Sequence, residues 1–206
     1  LNFSGTAGET LIIEIDIVTD AIIEDDALVG DFTITLGTVG NTSTVQADAI
    51  TTGAVGIGTI LNDDTATLTI SSPTMNEGTG GTTTLTFTVT SPLAVEGGFD
   101  VDFSVLAGTA GMSDYTLNNL TNTLHFSGTV GETQTITFDI DTDAIVENDE
   151  GFTVTLGTVT TNSAVQDAAI TSGATGTGTI TNDDTSTLTI DDVTVTEGTG
   201  GTSTLT

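Results

Sequence analysis

The stretch Thr83-Thr84-Leu85-Thr86-Phe87-Thr88-Val89-Thr90 decides the fold. Apolar and hydroxyl side chains alternate without a break, the period of a strand with one face in a core and the other in water. The same period recurs at Thr67–Ile70, Phe99–Leu106, Thr123–Ser127, Thr135–Asp141, Phe152–Leu156 and Thr177–Thr181. Glycine-rich turns such as Glu96-Gly97-Gly98 and Gly128-Thr129-Val130-Gly131 stand between them. Seven short strands predict an all-β, immunoglobulin-like antiparallel sandwich. Its core should include Leu68, Leu85, Phe87, Val101, Phe103, Phe126, Ile136, Phe138, Phe152 and Val154.

Outward from that stretch, the chain repeats itself. Leu1-Asn2-Phe3-Ser4-Gly5-Thr6 returns as Leu124-His125-Phe126-Ser127-Gly128-Thr129, and Asp20-Ala21-Ile22 as Asp143-Ala144-Ile145. Asn62-Asp63-Asp64 returns as Asn182-Asp183-Asp184, and Glu77-Gly78-Thr79-Gly80-Gly81 as Glu197-Gly198-Thr199-Gly200-Gly201. We therefore expect one complete repeat over 65–184, the later part of a preceding repeat over 1–64, and the opening of a following one over 185–206. A tandem array continuing in both directions is the expected parent.

Charge narrows function. The 206 residues carry 29 Asp and Glu and no Lys or Arg, a formal net charge of −29. Phosphates and anionic membrane surfaces are repelled by such a chain, so neither nucleic acid nor membrane insertion of this segment is expected. The chain has no Cys, which removes disulfides and thiolate chemistry. Without Lys it cannot form the Lys–Asn amide crosslinks that lock some surface domains. No apolar run reaches bilayer length. His125 is replaced by Asn2 in the other copy and is expected on an exposed strand face, and Tyr115 is expected to tie a loop to the core. No nucleophile–base constellation is visible, so we expect no enzymatic activity.

The carboxylates gather between strands, at Asp114, from Asp141 to Glu150, and at Asp183-Asp184. Like charges crowded together favour protons or hard cations, and oxygen-only ligands suit calcium. The composition alone is equally met by solvated loop residues.

Four motifs in order resemble the Calx-β family of sandwich domains. They are Met75-Asn76-Glu77-Gly78, Ala110-Gly111-Met112-Ser113-Asp114-Tyr115, the run Asp143-Ala144-Ile145-Val146-Glu147-Asn148-Asp149-Glu150, and the closing Gly178-Thr179-Ile180-Thr181-Asn182-Asp183-Asp184. The resemblance implies calcium (Ca2+) at one end of the sandwich. The carboxylates it points to are Glu77, Asp114, Asp143, Glu147, Glu150, Asp183 and Asp184, with a backbone carbonyl from Ile145. In the first copy it points to Asp20, Glu24, Asp63 and Asp64, and Glu197 opens the third copy. Ala27 stands where Glu150 would fall and is followed by a three-residue insertion, so ion number need not be equal in every repeat. The resemblance also implies a role: a calcium-stiffened stalk of a large secreted bacterial surface adhesin, as in gliding filaments, with neighbouring repeats as partners. Surface glycans or other cells would meet a distal tip. A regulatory calcium-sensor pair and a glycan-binding module are the alternatives.

Overall fold

The computed structural model describes residues 1–26, 31–40 and 49–205. In chain order the strands are β1 (Ile22–Ile23), β2 (Asp31–Thr35), β3 (Val55–Thr59), β4 (Ala66–Thr67), β5 (Thr69–Ile70), β6 (Thr74–Asn76), β7 (Gly81–Thr90) and β8 (Ala94–Val95). They continue as β9 (Phe99–Ala107), β10 (Tyr115–Leu117), β11 (Thr123–Phe126), β12 (Thr133–Thr142) and β13 (Glu150–Thr160). A short helix α1 (Ala164–Ala169) precedes β14 (Ile170–Thr171) and β15 (Thr175–Thr181).

Two sheets make the sandwich. One has the order β10-β12-β7-β5, the other β11-β9-β13-β15-β6. The backbone of the first is the β7–β12 ladder, running from Thr90 opposite Thr133 to Gly81 opposite Thr142. Its alternation sends Leu85, Phe87 and Val89 from one strand and Ile136, Phe138 and Ile140 from the other into the interior, while the threonines face water. Phe152 of the second sheet closes the core from the opposite side. Its ring centroid lies 4.7 Å from that of Phe138, 5.8 Å from Phe87 and 4.1 Å from Tyr115. Offset and edge contacts of this kind strengthen aromatic packing beyond the area buried. All ten expected core residues are buried, and the all-β sandwich read from periodicity is the fold.

The expected strand Thr67–Ile70 is corrected in its geometry. It is split: Ala66–Thr67 pairs with Ile170–Thr171, whereas Thr69–Ile70 joins β7. After Pro73, which has no N–H to donate, the chain crosses to the other sheet and β6 runs parallel to β15. Ser71-Ser72-Pro73 is the hinge of that crossing. Gly176 permits it, because a Cβ there would meet the Ser71 carbonyl, Ile70 and Phe87.

Outside 65–184, the described residues pair little. In the first, Ile13, Ile15 and Ile17 occupy the places of Ile136, Phe138 and Ile140, yet they stand about half-exposed and in no strand. β2 and β3 form a hairpin, with Thr59 Oγ1 donating to Asp31 Oδ1 at 2.7 Å. β1 instead pairs with β8 of the complete copy. Residues 185–205 carry no strand and are exposed. His125 lies on an exposed strand face opposite Asp100, with Nδ1 2.7 Å from Oδ1.

Candidate metal centre

One end of the sandwich is built from the segments where strands give out. Glu77 follows β6, and its N–H donates to the Thr181 carbonyl at 2.9 Å, which fixes it beside the end of β15. Asp143 follows β12, and its carboxylate accepts from the Ile145 N–H at 2.7 Å in an Asx turn. Asp184 lies two residues after Asn182, whose side chain donates to the Asp184 carbonyl at 3.1 Å. These three residues bring carboxylate oxygens within 4.8 Å of one another. Glu77 and Asp184 are buried and Asp143 is exposed, so the cluster opens to solvent on one side.

Burial pushes the Glu77 carboxyl above the usual range, and the charges of Asp143, Glu147 and Asp184 add to it, although an Asp143 N–H bond works the other way. Glu150 is pushed up likewise, first by burial, then by the charge of Asp114 and a hydrogen bond with its carboxyl. Asp114 is itself tied down: Gly111 N–H donates to Oδ2 at 2.6 Å and Ser113 Oγ to Oδ1 at 2.9 Å. Glu77, Asp114, Asp143, Glu147 and Glu150 line one cleft of about 90 Å³. Asp183 lies beside it, its Oδ1 accepting from Gly78 N–H at 2.9 Å. Ile145 has an exposed side chain.

The decisive atom is Asp184 Oδ2, buried and without a hydrogen-bond partner among the described residues. A buried carboxylate oxygen left alone is expensive. No lysine or arginine exists in the chain to pair it. The residues present therefore fit a hard cation: an oxygen-only set, an orphaned buried oxygen and an open side for further ligands. Glu77, Asp143 and Asp184 are the residues that would hold it, with Glu147, Asp114 and Glu150 lining the approach.

The first copy assembles Asp20, Glu24, Asp63 and Asp64 around a second cleft, together with Asp26 and Asn62. Burial raises Glu24 most, followed by the charges of Asp20, Glu96, Asp64 and Asp26. Glu197 is exposed and lies in no strand. Ala27 and the three residues after it lie outside the described residues.

Sequence reading passed over Asn182. Its Oδ1 accepts from Glu147 N–H at 3.0 Å, its N–H donates to Asp149 at 3.2 Å, and its amide holds Asp184, so one side chain knits three acidic segments. Asn62 makes the same bonds in the first copy, to Glu24 at 3.1 Å, Asp26 at 2.7 Å and Asp64 at 3.0 Å. The recurring Asn-Asp-Asp carried that signal, with the asparagine as scaffold.

The fold and cluster together define an all-β sandwich with an acidic, oxygen-lined end. No family model matches the chain, and no curated protein matches it. Among solved structures, the apo-form Calx CBD1 domain is similar at 17% identity and a TM-score of 0.44, over 59% of this chain and 100% of that one. CBD12 from CALX1.2 is similar at 18% identity and a TM-score of 0.45, over 57% of this chain and 46% of that one. The Calx CBD2 domain stands at 14% and 0.43, over 57% and 86%.

Proposed function

We propose that this chain is a segment of a tandem β-sandwich array in which calcium, bound at the acidic end of each repeat, stiffens a stalk of a secreted cell-surface adhesin. Its role is structural and not catalytic. The observation that carries the reading is the orphaned, buried Asp184 Oδ2 beside Glu77 and Asp143 in a chain with no lysine or arginine. A divalent cation supplies the missing partner and neutralises the repulsion that adds to burial in raising Glu77 and Glu150.

A stalk needs sites near junctions, and Glu24 of the first copy faces Glu96 of the complete copy. That same closeness would let a regulatory sensor pass ion occupancy from one sandwich to the next, so the sensor is the second reading. Calorimetry of the chain with calcium tests what both share. Heat of binding and a rise in melting temperature are expected at millimolar calcium, and Asp184→Asn should remove the share of both that belongs to the Glu77, Asp143 and Asp184 cluster, leaving that of the first copy's cleft. Absence of both in the unaltered chain removes the calcium reading. The effect of calcium on an array of many copies, straightening or unchanged, then separates stalk from sensor.

A further inference from the structure

The acidic run after β12 exists twice in this chain, and only one copy is covered. Asp20-Ala21-Ile22-Ile23-Glu24 matches Asp143-Ala144-Ile145-Val146-Glu147. In the first copy Ile22 and Ile23 lie in parallel register with Ala94 and Val95 of the complete sandwich. The Ile23 carbonyl accepts from Glu96 N–H at 2.9 Å and from Gln166 Nε2 at 3.2 Å, while the same Nε2 donates to the Glu96 carbonyl at 2.8 Å. Asp25 N–H donates to Glu96 Oε2 at 3.3 Å. Ile23 is 0% exposed and packs into the core cluster with Val95.

The receiving side belongs to the sandwich itself. Val95 N–H donates to the Gly128 carbonyl at 3.0 Å, and Gln166 sits on α1, whose first turn is capped by Ser163. In the second copy, Val146 takes the place of Ile23 but is 53% exposed, and its neighbour Ile145 is 58% exposed. The backbone beneath is nevertheless the same. Ile22 and Ile145 both donate to the aspartate two residues back, at 3.0 and 2.7 Å, and Glu24 and Glu147 both donate to the asparagine, at 3.1 and 3.0 Å. The loop has one shape whether covered or bare, so docking needs little rearrangement.

We propose that Ile145–Val146 is a docking edge whose occupant is the Ala94–Val95–Glu96 segment of another copy of the complete sandwich, with Val146 as the key and Gln166 of that copy as the clasp. The inference rests on the repeat-array part of the proposed function and is independent of its calcium. It makes every junction an asymmetric, head-to-tail contact, which propagates without closing on itself.

Because the chain has no cysteine, disulfide trapping tests this directly. In the covered junction, Ile22→Cys with Ala94→Cys should close within one chain, since the two are register partners. For the bare edge, a chain carrying Ile145→Cys is mixed with one carrying Ala94→Cys and Ile23→Asp, the last change emptying the receiver. High salt screens the repulsion between two chains of charge −29. We expect a linked dimer to form at least about ten-fold faster than when Leu120→Cys, a fully exposed position, replaces Ile145→Cys. Val146→Asp should return the rate to that control. Ile23→Ser serves as the second receiver variant, and an unchanged melting profile shows that the sandwich stands. Equal rates from Ile145→Cys and Leu120→Cys with both receivers, or failure of the intrachain pair to close, would overturn the proposal. Each arm is run with calcium and with chelator: trapping in a chain that shows no calorimetric calcium binding upholds the docking edge and discards the calcium reading. Calcium binding without trapping does the reverse.

Discussion

Glu77 concentrates the electrostatic problem of the acidic end: it is buried, it faces Asp143 and Glu147, and its carboxyl is held above the usual range. A carboxyl whose folded-state pKa lies above its unfolded value opposes folding once ionised, so in chelator Glu77→Gln should raise the melting temperature. A gain of about 2–4 °C corresponds to about 1 kcal/mol in a chain of this size. Under the proposed function Glu77 is a ligand, and the variant's calcium affinity should fall at least about ten-fold by calorimetry. Glu132 is the opposite case. Burial works upward on it, but the Ser127 N–H and hydroxyl, Thr129 N–H and Gln134 amide hold its carboxyl at about 2. Its stabilising contribution is whole above about pH 4.5 and is lost as pH falls through about 2, since the folded pKa lies below the unfolded one. Solvent screening at this part-exposed turn keeps that contribution to about 1 kcal/mol. Glu132→Gln should therefore flatten the acid limb of the stability curve between pH 4.5 and 2, followed by denaturant unfolding. This turn was legible as Ser127-Gly128-Thr129 repeating Ser4-Gly5-Thr6, but not the lock, because Glu132 and Glu9 stand beyond the quoted match and act through backbone amides.

At the scale of elements, the long strands were legible because threonine and apolar residues alternate without interruption, and burial follows that alternation in β7, β9 and β12. β10 was not: Tyr115-Thr116-Leu117 is too short to show a period, and its place on β12 is set by tertiary pairing. α1 was missed as well. Its six residues show no apolar stripe, although Ser163-Ala164-Val165-Gln166 has the form of a capping box, and Ser163 Oγ accepts from Gln166 N–H at 3.4 Å. Of the candidate site, the loops were legible from charge and resemblance. The burial of Glu77 and Asp184 and the exposure of Asp143 were not, since they depend on how three strand ends meet. Close approach of elements also explains Gly176, which lies where the crossing from β5 to β6 passes over β15. Gly176→Ala sets a methyl group against the Ser71 carbonyl and should cost about 2–3 kcal/mol, read as a lower urea midpoint with an unchanged slope.

For the whole molecule the governing quantity is the net charge of −29, which no residue other than His125 can offset. That charge is concentrated at the sandwich end and where the two copies meet: Asp20, Glu24, Asp26 and Asp64 face one another, and Glu96 of the complete copy adds its charge. The contact there is small: two residues of parallel pairing with Ile23 buried, the Glu96 bonds to Ile23 and Asp25, and the Gln166 clasp. Repulsion of several charges at short range rivals so slight a contact in chelator. Calcium bound among those carboxylates would turn repulsion into shared ligation and leave the hydrogen bonds and Ile23 to set the angle. Solution scattering should then show a narrower range of dimensions with calcium than with chelator. Asp20→Asn combined with Glu24→Gln should abolish the calcium response without moving the melting of the sandwich, because neither residue contributes to its core. Gln166→Ala should broaden the distribution even with calcium, since the ion cannot replace the two carbonyl contacts of the clasp. Identical scattering in calcium, in chelator and in both variants would show that ions and junction are unconnected.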